Sequence, residues 1–233
     1  MRKLYMFNNK EKQKLKKLPY GLSDFKRVKT ENYYYIDKTQ FIQKLEDDAN
    51  FLFFLRPRRF GKSLTIAMLC AYYDVYFKEE FDAIFQDTYV LEHPTPLKSS
   101  FYILRFDFSA VDSADYENSF RNAINIKITS FIEKYNLDLL LTVTNPIDNM
   151  ATLLMYCSKE NIPLYVLIDE YDNFITKLLV SDMDSYKSMV TSKSAIYKEF
   201  FTALKAGTAD NDSAIRKMFF TGVSPLALFD VTS

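Results

Sequence analysis

The chain has 233 residues, 48% of them hydrophobic, and its 30 basic and 30 acidic side chains cancel. That length and apolar content support one large domain or two small ones with a proper core, while zero net charge removes any whole-molecule case for a nucleic-acid or anionic-membrane partner. Two cysteines and a single histidine offer neither a disulfide framework nor metal-ligand spacing, and no segment reaches the ~18 apolar residues a membrane span requires, so the expectation is a soluble, cytoplasmic protein.

Residues 1–18 are lysine-rich, lack a signal-peptide core and read as a basic lead-in to a domain over residues 19–233. The first 60 residues carry fifteen lysines and arginines against seven acids. A solvated face accounts for that excess before a nucleic-acid patch does. Pro19, Tyr20 and Gly21 mark a turn, Tyr33 to Asp37 is β-prone, and Asp37 or Thr39 is placed to cap a short helix through Leu45. The apolar run Phe51–Leu55 predicts a strand. It is followed by a basic loop with Gly61, Lys62 and Ser63, and then by a helical pattern to about Phe77.

Beyond a less regular stretch from Glu79 to Leu91, Phe101–Phe108 predicts a second strand. Asp112, Ser113 or Asp115 can cap a helix through Tyr135, with Phe120, Ile124, Ile126, Ile128 and Phe131 as its face. Asn145 and Pro146 open another helix, and Leu164–Ile168 is a buried parallel strand by composition, followed at once by Asp169, Glu170, Tyr171 and Asp172. A polar insertion spans about Ser181 to Ser194. A helix from Ala195 to Lys205 stops at Gly207, and Lys217–Gly222 is the last strand before Ser224. Strands and helices alternate throughout, which predicts an α/β domain with a mainly parallel sheet.

The order strand, Gly-Lys-Ser, helix is that of a P-loop, except that the first glycine of G-x-x-x-x-G-K-[ST] falls at residue 56, which is arginine. A triphosphate site needs backbone N–H groups at a helix N-terminus, a lysine for the phosphates and a hydroxyl for Mg²⁺. Arg59, Phe60, Gly61, Lys62, Ser63 and Leu64 form the stretch that would meet ATP. Hydrolysis also needs a carboxylate at the metal and another to activate water. Asp169, together with Ser63, fits the Mg²⁺ role; Glu170 fits the base, with Lys62 as its catalytic partner on the phosphates. Ser224, or Thr221 before it, is placed to sense the γ-phosphate, and a cap or turn hydroxyl explains either equally well.

Tyr35-Ile-Asp-Lys-Thr39, Arg56-Pro-Arg-Arg-Phe-Gly-Lys-Ser63, Leu167-Ile-Asp-Glu-Tyr-Asp172 and Thr221-Gly-Val-Ser-Pro225 together resemble the prokaryotic AAA-ATPase-like domain family. The resemblance covers about Leu18 to Ser233 and makes Arg56 a family trait. It implies a P-loop NTPase three-layer sandwich of sheet order 5-1-4-3-2, with Lys62 and Ser63 on phosphate and Mg²⁺, Asp169 on Mg²⁺ and Glu170 as base. It also implies a nuclease-like effector, either C-terminal or separate, and an approach of the segment Phe25 to Lys38 to the nucleobase of the bound nucleotide, with no single residue assigned there. Four strands map onto this chain, and the fifth, beside Phe51–Leu55, does not. The expectation is therefore a fragment truncated at its C-terminus, or else an open edge at the first strand. The leading function is an ATP-binding, Mg²⁺-dependent ATPase acting as a switch. The alternatives are a non-hydrolysing nucleotide-gated module and, behind it, a nucleic-acid-binding domain.

Overall fold

The computed structural model describes residues 15–112, 114–184, 186–187 and 195–225. The lead-in up to residue 14, Ser113, much of the polar insertion and the chain end from residue 226 lie outside the described residues. Four strands form one sheet: β1 (Phe51–Leu55), β2 (Tyr102–Asp107), β3 (Leu164–Asp169) and β4 (Ile215–Gly222). All pairings are parallel and the spatial order is β1-β4-β3-β2. This is the order that the family resemblance implies for these four strands, and no fifth strand lies among the described residues. β3 lies inside the sheet and every one of its residues is buried, whereas Phe51, at the start of the edge strand β1, is 41% exposed. A strand covered on both faces must be apolar along its whole length, which is why Leu164–Ile168 is the plainest strand signal in the chain.

The helices are α1 (Phe25–Thr30), α2 (Ile42–Asp47), α3 (Lys62–Tyr73), α4 (Phe81–Ile84), α5 (Tyr89–Glu92), α6 (Tyr116–Lys134), α7 (Pro146–Lys159), α8 (Asn173–Ser181) and α9 (Ile196–Ala206). Strand alternation divides the core between them. Ile103, Tyr165, Leu167 and Phe219 face a cluster built with α1 to α5. Leu104, Phe106, Val166, Ile168, Met218 and Phe220 face a second cluster built with α6 to α9. The result is a three-layer α/β/α sandwich. The abundant aromatics fill both outer interfaces. Phe106 meets Phe200 edge-on at 5.0 Å, and Phe108 and Phe120 lie 4.6 Å apart on one side. On the other, Phe81 and Phe85 stack at 4.6 Å and Phe25 lies 5.2 Å from Phe85. No helix among the described residues is long and apolar enough to cross a membrane.

Several local expectations change. The helix predicted to Phe77 ends at Tyr73, because Asp74 turns to an extended conformation and pairs with Phe101 ahead of β2. A 3₁₀ turn, Val75–Glu80, follows, with the Asp74 side chain accepting from the Tyr76 amide. Ile126 is 60% exposed and leaves the predicted face of α6, since it lies about 200° around the helix from Ile124. Asp115 precedes α6 without capping it through its side chain, while Asp112 accepts instead from Ala114. Tyr33–Asp37 runs as an irregular segment, and Asp37 accepts from Thr39 and from the Tyr89 amide across the layer. Helices α1 and α8 are additions to the sequence reading. Asp24 caps α1 through the Arg27 amide.

Asp74 is buried and accepts from the Tyr135 hydroxyl at 2.8 Å as well as from the Lys134 ammonium. The Tyr135 hydroxyl in turn accepts from the Ile103 amide at 2.8 Å on the outer side of β2. One carboxylate thus fixes the end of α3, the end of α6 and the start of β2. Asp74→Ala leaves a half-buried ammonium without its ion pair and the Tyr135 hydroxyl without its acceptor, so it should lower unfolding free energy by about 3 kcal/mol, read from urea denaturation as a lower midpoint with an unchanged slope.

Candidate functional site

The carboxyl ends of β1, β3 and β4 lie side by side, and the chemistry-bearing residues collect there. The loop between β1 and α3 begins with the Arg56 amide donating to the Gly222 carbonyl at 3.1 Å, which continues the β1–β4 ladder by one residue. Arg59 and Gly61 both take positive φ, 69° and 76°. A Cβ at Gly61 would meet nothing within 4 Å, so glycine is needed there for its backbone conformation and not for space. That turn aims the N-terminus of α3 back across the loop. Lys62, 5% exposed, sends its ammonium to the Pro57 carbonyl at 3.3 Å. Ser63 and Leu64 follow in the first turn, and Phe60 stands 65% exposed at the loop's outer side. The arginine at residue 56 points its guanidinium over the Phe54 ring, so it packs on β1 at the base of the loop. Arg58 reaches Asn173 at 3.5 Å.

Asp169 ends β3 with 1% exposure. One oxygen accepts from the Thr221 hydroxyl at 2.5 Å, and the other faces the Arg105 guanidinium at 3.7 Å. Thr221 also accepts from the Glu170 amide at 3.4 Å, so a single hydroxyl on β4 orients both acidic residues. Asp107, at the end of β2, is the in-register neighbour of Asp169. Glu170 has φ 50°, a left-handed conformation that costs a non-glycine residue about 1 kcal/mol. Its carboxyl lies above the usual carboxylate range, first because burial disfavours the charge and then because Asp169 and Asp107 repel it. Lys62 and Arg58 pull the other way. Glu170 thus lies within electrostatic reach of the loop lysine.

The next two residues hold the far wall. Asp172 is buried and accepts from the Val223 amide at 2.9 Å and the Ser224 amide at 2.5 Å. The Tyr171 hydroxyl donates to the Ser224 carbonyl at 2.6 Å. Gly222 allows this closure: a Cβ there would come 2.5 Å from Tyr171 Cε1 and 2.7 Å from Asp172 Oδ1. Among the residues predicted from sequence, Lys62, Asp169 and Glu170 come together, with Ser63 on the first turn behind the loop and Ser224 pinned through its backbone. Sequence reasoning missed Arg105, Asp107, Tyr171 and Asp172. A charge within the apolar run Phe101–Phe108 was the available signal for Arg105, and the continuation of the Asp-Glu pair into Tyr-Asp was the signal for the clamp.

Among the described residues, no group of three or more His, Cys, Asp or Glu could hold a metal alone. One carboxylate and one hydroxyl still fit Mg²⁺, which keeps several waters and takes the rest of its shell from phosphate oxygens. Asp169 and Ser63 are the residues that the sequence pattern nominates for such a set. A family model described as a predicted AAA-ATPase matches residues 19–232. An uncharacterized protein in the vnfD 5' region of Azotobacter chroococcum mcd 1 is 46% identical over 55 residues, which is 23% of this chain and 11% of that protein. No solved structure matches the chain.

Two outcomes follow from the packing. Gly222→Ala should cost about 2 kcal/mol, because both atoms it strikes belong to a fully packed clamp; a lowered urea midpoint is the readout. Glu170→Gln should melt higher than the wild type at about pH 8, with the gap closing toward about pH 4. The folded-state value of Glu170 lies above the unfolded one. Its contribution therefore favours folding at low pH and is lost as pH rises through the folded value. Thermal melts of both proteins across that range measure the difference.

Proposed function

This chain belongs to the AAA-ATPase-like family, and we propose that it is an Mg²⁺-dependent ATP-binding domain that hydrolyses ATP slowly and serves as a nucleotide switch for an effector. The observation that carries the reading is the convergence of the Lys62 loop, Asp169 and Glu170 at one end of the sheet, with Thr221 tying the two acids together. Ligands of open α/β sheets bind at this end of the strands.

The residues divide the work by their chemistry. The backbone from Arg59 to Leu64 offers N–H groups at the start of α3, where the helix dipole favours an anion. The Lys62 ammonium exchanges the neutral Pro57 carbonyl for a phosphate oxygen, a stronger charge-assisted bond. Ser63 and Asp169 would hold Mg²⁺, which would supply charge neutralisation for the phosphates. Glu170 takes the proton of the attacking water. Its raised proton affinity suits a base better than an ordinary surface carboxylate would. Ser224 and the backbone clamped by Tyr171 and Asp172 face the γ-phosphate side, so a change there is transmitted to the segment after β4. A nuclease-like effector, joined or separate, is the partner that the family resemblance favours.

Lys62→Ala should lose nucleotide retention at least tenfold, measured by filter binding of labelled ATP with Mg²⁺; equal retention by wild type and variant would sink the site. Glu170→Gln should keep retention and lose turnover by about 10²-fold or more, measured as phosphate release. Retention without turnover in the wild type as well would assign a non-hydrolysing gate in place of the ATPase.

A further inference from the structure

Away from the phosphate loop, a cavity of about 420 Å³ opens between the C-terminal half of α3, the outer part of β2 and α6. Its size falls within the range of small-molecule sites. Ala67, Ala71, Ile103 and Phe131 supply apolar wall, and Ser23 and Ser130 supply hydroxyls. Four cations line it, against the two carboxylates Asp24 and Asp74. Two of the cations are committed: Lys26 pairs with Glu80 at 2.7 Å, and Lys134 with the buried Asp74. The other two are held less. Among the described residues Lys127 forms no ion pair, and the one ion pair of Arg105 is the 3.7 Å contact with Asp169. A guanidinium at that distance from its partner has donors to spare, and its fork geometry matches carboxylate or phosphate oxygens.

We propose that this cavity binds a small oxyanion with an apolar body, its charged group between Arg105 and Lys127 and its body on the α3–β2 wall. Arg105 belongs to both this cavity and the surroundings of Asp169. An anion that draws the guanidinium away leaves the outer oxygen of Asp169 more available to a cation, so occupancy of the cavity favours Mg²⁺ at Asp169. By linkage, Mg²⁺ at Asp169 favours the anion to the same degree. The coupling, unlike the cavity site itself, rests on the ATPase reading above.

The probe is 1-anilinonaphthalene-8-sulfonate, an oxyanion on an aromatic body, titrated by fluorescence into the whole chain. Saturable binding should weaken at least tenfold in Lys127→Glu, which reverses a cation, and in Ser130→Trp, which fills the mouth from an exposed position. Saturating ATP with Mg²⁺ should leave the probe bound and tighten it. Absence of saturable binding by the wild type, equal affinity in the wild type and both variants, or displacement of the probe by ATP would each overturn the site. A probe that binds in a Lys127-dependent manner to a chain that retains no nucleotide would support the cavity and count against the ATPase reading alone. Both substitutions lie on a helix surface, so circular dichroism matching the wild type confirms that a lost signal is lost binding.

Discussion

Asp169 must keep a carboxylate at 1% exposure beside open chemistry, and burial of that kind costs several kcal/mol unless its oxygens are partnered. One oxygen faces the Arg105 guanidinium, and the other accepts from a hydroxyl on the neighbouring strand. Thr221 can donate to Asp169 only if β4 lies directly beside β3 in the observed register, with Ile168 opposite Phe220. β4 therefore stands between β3 and β1, and the Arg56–Gly222 hydrogen bond then fixes where the β1 loop starts. The β1–β4 and β3–β4 ladders set the position of the phosphate loop relative to the acids, and this side-chain bond ties Asp169 to the strand between them.

Much of this arrangement was legible because it rests on backbone periodicity. Leu164–Ile168 is an apolar run that forms a fully covered strand, Phe51–Leu55 is one that forms a partly covered edge strand, and a glycine before Lys62 at the opening of a helix has few other uses. Legibility failed where a side chain reaches across the fold. Nothing local in Asp74 says that it ends a helix; its partners Lys134 and Tyr135 lie sixty residues on. Helix α1 is only six residues long, and its cap at Asp24 is too common a residue to announce it. Gly207 shows a subtler failure. It ends α9 where expected, yet with φ −69° and not in the left-handed region, and its small size is used to let Ile215 and Leu154 approach.

The four residues Asp169 to Asp172 act as alternating supports. The first and second face the loop and Thr221, while the third and fourth close on the turn after β4. A strand end that serves two sites in four residues cannot relax in one without straining the other. The left-handed Glu170 is where that tension resides.

The Tyr135 hydroxyl on the Ile103 amide has a consequence for how the sheet can extend. Along β2 a main-chain donor is already taken by the side chain of Tyr135, the residue that follows α6, and α6 packs against β2. Along β1, no strand pairs with the outer side among the described residues, and its first residue is a half-exposed phenylalanine. The two borders of the sheet therefore differ among the described residues. The β1 border, directly beside the phosphate loop, pairs with no further strand among the described residues. Whatever pairs there would stiffen the root of that loop, whereas a strand arriving at the opposite border would first have to evict a tyrosine.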